Sequence, residues 1–316
     1  MKLTLYPGEH AFVSREIIVK LNQGLNEVII GDIPQHIDPH SLIFDFKNNL
    51  DVVAKTYHLQ TNENGLGNVE LLIEAEESKE YNMTFFYKVN MISYDIFYNF
   101  LYDSMNKCIS MSGWVEINNY CGISFENVEL QIVVNQNNDN VVFTLDNQYN
   151  IPDQSEMNVS FLFESNIPVK YKYIIPFDQN QVIECLFIKN NEESRLGTPL
   201  MPGNISLYFK DENQSLQHIG NDKVDIYLPD DDILFEIGQI NDLLLISRQI
   251  FEETYTIDIQ NVTDKIININ LEINTYGRDI KQSNVEFDMD ENGIGNIELK
   301  ILPSSKQQVI YKIELS

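Results

Sequence analysis

The sequence predicts an all-β fold, with β-sandwich modules of immunoglobulin-like or related type flanking a larger central β region and little helix. Three observations carry that expectation. Apolar residues recur with a period of two through nearly every apolar segment, the signature of half-buried strands. Gly, Pro, Asn and Asp clusters punctuate those segments at short intervals. No stretch sustains the 3.6-residue period of a long amphipathic helix.

From the N-terminus, Ala11 and Val13, then Ile17, Val19 and Leu21, alternate up to a turn at Asn22-Gln23-Gly24. Strands are expected at Val28 to Ile30, around 42–46 and around 52–59, then a turn at Asn62-Glu63-Asn64-Gly65. Val69, Leu71 and Ile73 alternate next, and Phe85, Tyr87 and Val89 after them. The run Tyr94 to Tyr102 is aromatic and β-favouring, and reads as a strand. Ile109, Met111, Gly113, Val115 and Ile117 share a face whose reverse carries Trp114. Val128, Leu130, Ile132 and Val134 share another, and Gln136 to Asn140 form a hairpin loop before Val141, Phe143 and Leu145. Val159, Phe161 and Phe163 are expected on one face, followed by Tyr171, Tyr173 and Ile175.

Residues 195–241 read as three short strands. Pro199, Pro202, Gly197 and Gly203 forbid a helix at 196–203, because proline removes a donor and glycine favours positive φ. Ile205, Leu207 and Phe209 alternate, Asp211-Glu212-Asn213 turns the chain, and Ile219-Gly220-Asn221-Asp222 turns it again. Val224, Ile226 and Leu228 give a strand closed by Pro229 and Asp230 to Asp232, and Leu234, Phe235 and Ile237 start the next.

The two ends repeat. Glu63-Asn64-Gly65-Leu66-Gly67-Asn68-Val69-Glu70-Leu71 returns as Glu291-Asn292-Gly293-Ile294-Gly295-Asn296-Ile297-Glu298-Leu299, and Tyr87-Lys88-Val89 as Tyr311-Lys312-Ile313. Val13-Ser14-Arg15-Glu16-Ile17 is answered by Ile246-Ser247-Arg248-Gln249-Ile250. The expected organisation is therefore a module at 1–89, a central domain at 90–244 and a second copy of the module at 245–316. In each copy the Glu-Asn-Gly turn should place glycine at positive φ. The strand after it should lie beside the Tyr-Lys strand, burying Val69 and Leu71, or Ile297 and Leu299.

Length and charge bound the function. The chain has 316 residues, with 48 acidic against 21 basic side chains and a formal charge of −27. That charge repels phosphate backbones and anionic lipid, so nucleic acid is not an expected partner. No run approaches the roughly 20 apolar residues of a membrane helix, so membrane insertion is not expected. Pro7, Glu9 and His10 break up any signal-like run, which reads as a soluble chain, cytoplasmic or carried elsewhere by a leader outside this numbering. Cys108, Cys121 and Cys185 fit no disulfide framework and read as reduced core residues, a Cys108–Cys121 bridge being the alternative.

No catalytic set and no cofactor motif stands out. His36 and His40 are four apart, but Pro39 forbids the helix that would align them. Cys121 has no histidine close in sequence, and Ser14 and Ser247 lie outside any Gly-x-Ser-x-Gly elbow. Gly65-Leu66-Gly67 and Gly293-Ile294-Gly295 feed strands, so neither offers an anion a helix N-terminus. The one metal candidate is a calcium-loop-like pattern at Asp288, Asp290, Asn292 and Glu298. Glu298 comes one position early and the flanks are strands, so a plain β-turn is the favoured reading there.

Three blocks resemble a known family. Tyr6-Pro7 with Gly24-Leu25-Asn26, Ile33-Pro34 and Asp38-Pro39-His40-Ser41-Leu42 make the first, and Trp114 to Gly122 with Phe125 to Leu130 the second. Pro199-Leu200-Met201-Pro202-Gly203 with Ile219-Gly220 makes the third. Together they resemble a bacterial family of unknown function, number 4139, that includes mucoidy-inhibitor-like proteins. The resemblance implies a β-rich, non-catalytic protein, often exported in relatives, and supplies no catalytic residue; the coiled-coil insertion common in relatives is absent. Two readings follow: an envelope-associated interaction scaffold that binds protein or glycan, or a carbohydrate-binding protein or hydrolase whose site is assembled from distant residues. An exposed aromatic platform would favour sugar, and an unpaired apolar edge would favour protein.

Overall fold

The computed structural model describes residues 1–313 apart from 35, 47–49, 59–65, 104, 137–138, 211–214, 241–243, 252 and 291. Strand accounts for 72% of the chain and helix for 2%, so the all-β expectation holds. The expected turns at 62–65 and 211–213 and the tip of the 136–140 loop lie outside the described residues.

The strands fall into four consecutive sets. The first comprises β1 (Lys2–Tyr6), β2 (His10–Leu21), β3 (Gly24–Ile33), β4 (Ile43–Phe46), β5 (Asp51–His58), β6 (Gly67–Ala75) and β7 (Lys79–Asn90). The second comprises β8 (Ile92–Asp103), β9 (Cys108–Asn119), β10 (Phe125–Gln136), β11 (Asp139–Ile151) and β12 (Ser155–Pro168). The third comprises β13 (Lys170–Ile175), β14 (Val182–Lys189), β15 (Gly203–Lys210), β16 (Leu216–Val224) and β17 (Asp232–Ile240). The fourth comprises β18 (Leu244–Phe251), β19 (Thr254–Asn261), β20 (Ile267–Asn274), β21 (Ile280–Ser283), β22 (Asp288–Met289), β23 (Ile294–Ile301) and β24 (Lys306–Ile313).

All four sets share one hydrogen-bonding order. In the first, β1-β2-β7-β4 form one sheet and β3-β6-β5 the other; in the fourth, β18-β19-β24-β21 and β20-β23-β22 repeat that order strand for strand. The two middle sets keep its core, β8-β9-β12 with β10-β11 and β13-β14-β17 with β15-β16, without the fourth and fifth strands. Here the second strand pairs with the last, unlike the immunoglobulin constant order, in which it pairs with the fifth.

Neighbouring sets are fused by one rule. The first strand of each set pairs in parallel with the third strand of the next: β1 with β10 (Leu3 opposite Leu130), β8 with β15 (Tyr98 opposite Ile205) and β13 with β20 (Tyr173 opposite Ile269). Three long sheets result, β11-β10-β1-β2-β7-β4, β12-β9-β8-β15-β16 and β17-β14-β13-β20-β23-β22. One hydrophobic cluster runs from Leu3 to Phe235 and a second from Ile175 to Ile313.

Three sets carry the same buried device. Asn119 ends β9, Asn190 follows β14 and Asn261 ends β19, all fully buried. Asn119 donates to the Ile123 and Pro152 carbonyls and accepts from Cys121 N. Asn261 donates to the Lys265 and Ile301 carbonyls and accepts from Thr263 N. Asn190 donates to the Thr198 and Leu228 carbonyls and accepts from Gly197 N. A carboxamide has both donors and acceptors, so one side chain satisfies a turn and a distant strand end that would otherwise be buried unpaired.

The terminal repeat is equivalent in position but not in its expected neighbours. β6 and β23 occupy the same place, with Leu71 and Leu299 buried and Gly293 at φ +78. Glu63, Asn64, Gly65 and Glu291 lie outside the described residues. Val69 is buried, but Ile297 is only half-buried, because the two-residue β22 covers it less than β5 covers Val69. The Tyr-Lys strand is not beside β6 or β23 but in the facing sheet, so the chain crosses the sandwich and both strands feed one core.

The Arg15 and Arg248 motifs also fall on non-equivalent strands, β2 and β18. Even so, both guanidinium groups reach the same place: Arg15 Nη1 donates to the Gly31 carbonyl and Arg248 Nη1 to the Glu272 carbonyl. Those carbonyls sit three residues beyond Val28 and Ile269, the partners of Leu71 and Leu299.

Two local expectations are corrected. Residues 219–222 do not turn but lie within β16, because pairing with β15 continues through Gly220 and Asn221. The strand expected at Val224, Ile226 and Leu228 ends at Val224, and Tyr227 makes only an isolated bridge to Leu200.

Candidate functional site

The middle sheet, β12-β9-β8-β15-β16, buries one face and turns the other to solvent. On its solvent face three rows cross β9, β8 and β15: Trp114, Phe97 and Asn204; Ser112, Asn99 and Ser206; Ser110, Leu101 and Tyr208. These nine side chains are neutral in a protein of charge −27, and three of them are aromatic. Tyr208 meets the exposed His218 of β16 edge-on, with ring centroids 5.4 Å apart.

Phe163 supplies the feature that alternation does not predict. Val159 and Phe161 face the core as expected, but a bulge between Ser160 and Leu162 advances the register by one residue. Phe163 then lies opposite Ser112 on the outer face, 75% exposed. A bulge re-aims every side chain beyond it, which is how one extra residue moves a phenylalanine from core to solvent. Gly113 makes the bulge possible: a Cβ there would lie 2.6 Å from Phe161 Cζ, so only glycine lets that ring pack on β9. The Phe161 ring meets Tyr98 edge-on at 5.4 Å, and the Tyr98 hydroxyl donates to the Met201 carbonyl at 2.6 Å.

Phe163, Leu101, Tyr208 and Leu216 wall a dish of about 410 Å³ whose floor carries Asn99, Ser110 and Ser112. The half-buried Asn99 carboxamide has no hydrogen bond within the protein among the described residues, so it is available to a ligand. Trp114 Nε1 donates to Ser112 Oγ at 3.3 Å, which ties the indole to the neighbouring row. Flat rings beside short hydroxyl and amide groups suit a ligand with one apolar face and several hydroxyls.

The sequence-derived candidates lie elsewhere and do not converge. Asp290 caps its own turn, Oδ1 accepting from Asn292 N at 2.9 Å and Ile294 N at 2.8 Å. It lines a hollow of about 710 Å³, whereas Glu298 lines a separate cleft of about 580 Å³. Asp288 pairs with Asn296 across β22 and β23, and among the described residues no three His, Cys, Asp or Glu side chains gather as a metal would require. His36 lies in a turn and His40 in the short 3-10 turn Pro39–Ser41, and both are exposed.

All three cysteines are free and buried, so the Cys108–Cys121 bridge is not formed. Burial pushes the Cys121 and Cys185 thiols up to about 12, which keeps them protonated and poorly nucleophilic. Burial likewise raises Tyr98 and Tyr102, the latter bonded to the Tyr171 hydroxyl across the sandwich. Glu184, half-buried beside Tyr173, is raised for the same reason. These shifted groups are spaced through the core and share no cleft with the dish.

Sequence reasoning missed Phe163, Asn99, Leu101, Tyr208 and Leu216 as a group. The one available signal was the unbroken run Phe161-Leu162-Phe163, which violates the period of two. No family model matches the chain, and no curated protein matches it. No helix among the described residues is long and apolar enough to cross a membrane.

Proposed function

We propose that this protein is a non-catalytic interaction scaffold that presents the outer face of its middle sheet to a neutral glycan. The observation that carries this reading is Phe163, held 75% exposed by a bulge beside an unpaired carboxamide. Leaving a phenyl ring in water costs on the order of 2 kcal/mol relative to burying it, so a fold that turns it outward gains nothing without a ligand. The absence of charge across the three rows supports a neutral ligand over a cationic peptide, and the aromatic rings supply stacking surfaces for pyranose faces. The envelope setting implied by the family resemblance is compatible with a glycan and adds nothing to the geometry.

Affinity electrophoresis through soluble β-glucan, mannan and chitosaccharide gels tests the reading. Retardation by at least one of them is expected, with affinity falling about tenfold or more on Phe163→Ala while the circular dichroism spectrum is unchanged. No retardation by any of the three, or equal retardation of the Phe163→Ala protein, would refute it. A protein captured by wild type and lost with Phe163→Ala would replace glycan by protein as the ligand.

A further inference from the structure

Each set offers two of its edges to its neighbours, its first strand and its third. Inside the chain these edges meet in parallel at three successive junctions, β1 with β10, β8 with β15 and β13 with β20. The rule leaves two edges over. Among the described residues β18, the first strand of the fourth set, pairs only with β19, and β3, the third strand of the first set, pairs only with β6.

Burial shows what those edges lack. On the three paired first strands the core-facing residues at the junction are buried or half-buried: Leu3 and Tyr98 are at 0% exposure, and Tyr173 is half-buried. Ile250 faces the same way on β18, opposite Tyr255, yet is 68% exposed. The paired third strands bury Leu130, Ile205 and Ile269, whereas Val28, the counterpart of Ile269 on β3, is only half-buried and burial there begins at Ile30.

We infer that this protein associates head to tail, β18 of one copy taking β3 of a second copy as its parallel neighbour. The occupant is specified by the fold, because each leftover edge is of the kind that pairs with the other at all three internal junctions. Junctions already form beside the extra strands: the first set makes the β1–β10 junction while carrying β4 and β5, and the fourth makes the β13–β20 junction while carrying β21 and β22. By analogy with Tyr173 opposite Ile269, Ile250 falls against Val28 to Ile30 of the second copy. Joining unlike edges is a heterologous contact, which forms no closed symmetric pair and adds copies in series until the rotation closes a ring. Each copy carries a formal charge of −27, so screening strengthens association. This inference is independent of the glycan face, which lies on a different sheet.

Sedimentation velocity of the full chain from about 1 to about 100 μM, at about 50 and about 500 mM salt, is the first test. A ladder of dimer, trimer and longer species, growing with salt, is expected. Ile250→Lys places a charge on the open edge without disturbing a buried site, and should leave monomer under all conditions. Register and polarity are read by oxidative cross-linking: Ile250→Cys protein mixed with Val28→Cys or Ile30→Cys protein should link, and neither should link alone. Monomeric wild type throughout, or association undiminished by Ile250→Lys, overturns the inference. So does linkage of Ile250→Cys protein to itself, which would mean a symmetric β18 pair.

Discussion

Replacing Gly113 by alanine tests whether the bulge that exposes Phe163 is set by one ring packed on one strand. The new Cβ would stand 2.6, 2.9 and 3.0 Å from three atoms of the Phe161 ring. Ordinary carbon contacts need about 3.5–4.0 Å, so the ring must retreat by about 1 Å and loosen its edge-on contact with Tyr98. Overpacking of this kind costs about 1–3 kcal/mol, and removing a strand glycine returns about 0.5–1 kcal/mol. The net expectation for Gly113→Ala is a loss of about 1–2 kcal/mol. In a Phe161→Ala background the clash is gone and only the backbone gain remains, so the same substitution should stabilise by about 0.5–1 kcal/mol. The two sites are thus coupled by roughly 2 kcal/mol.

Urea unfolding of the four proteins, followed by the fluorescence of Trp114, measures this cycle where it matters. Trp114 is the single tryptophan and adjoins Gly113, so it reports the second set even where the others unfold separately. Equal destabilisation by Gly113→Ala in both backgrounds would refute the assignment of the bulge to Phe161.

Two further outcomes are expected. Asn261→Ala leaves the buried Ile301 carbonyl and the part-buried Lys265 carbonyl without their donor and should cost about 2 kcal/mol. Asn22→Ala, exposed just beyond β2 and with no side-chain hydrogen bond among the described residues, should cost under about 0.5 kcal/mol; calorimetric midpoints of both variants check the contrast. Burial holds the Glu184 carboxyl above its ordinary value of 4.5, so the folded state binds that proton more tightly than the unfolded chain. Its contribution to stability is complete below that ordinary value and is lost as pH rises through the higher folded value. Glu184→Gln should therefore raise the urea midpoint at neutral pH, and the difference from wild type should vanish by about pH 4.

The sequence by itself determined the all-β class, because side chains on a pleated strand alternate and only a period-two pattern buries one face. It also determined most strands, and the kinship of the two ends through residues that share a core position, Leu71 and Leu299. Ile219 to Asp222 misled because turn-favouring residues remain strand when a neighbour supplies the hydrogen bonds. Only tertiary structure decided that β8 to β17 contain two more copies of the same order, since strand order is fixed by long-range pairing that leaves no local spacing to read. The parallel junctions, the open edges of β3 and β18, and the exposure of Ile250 follow from that order alone. The placement of Phe163 was likewise undecidable in one dimension: its direction depends on a register shift that Gly113, about 50 residues earlier, permits by having no β-carbon.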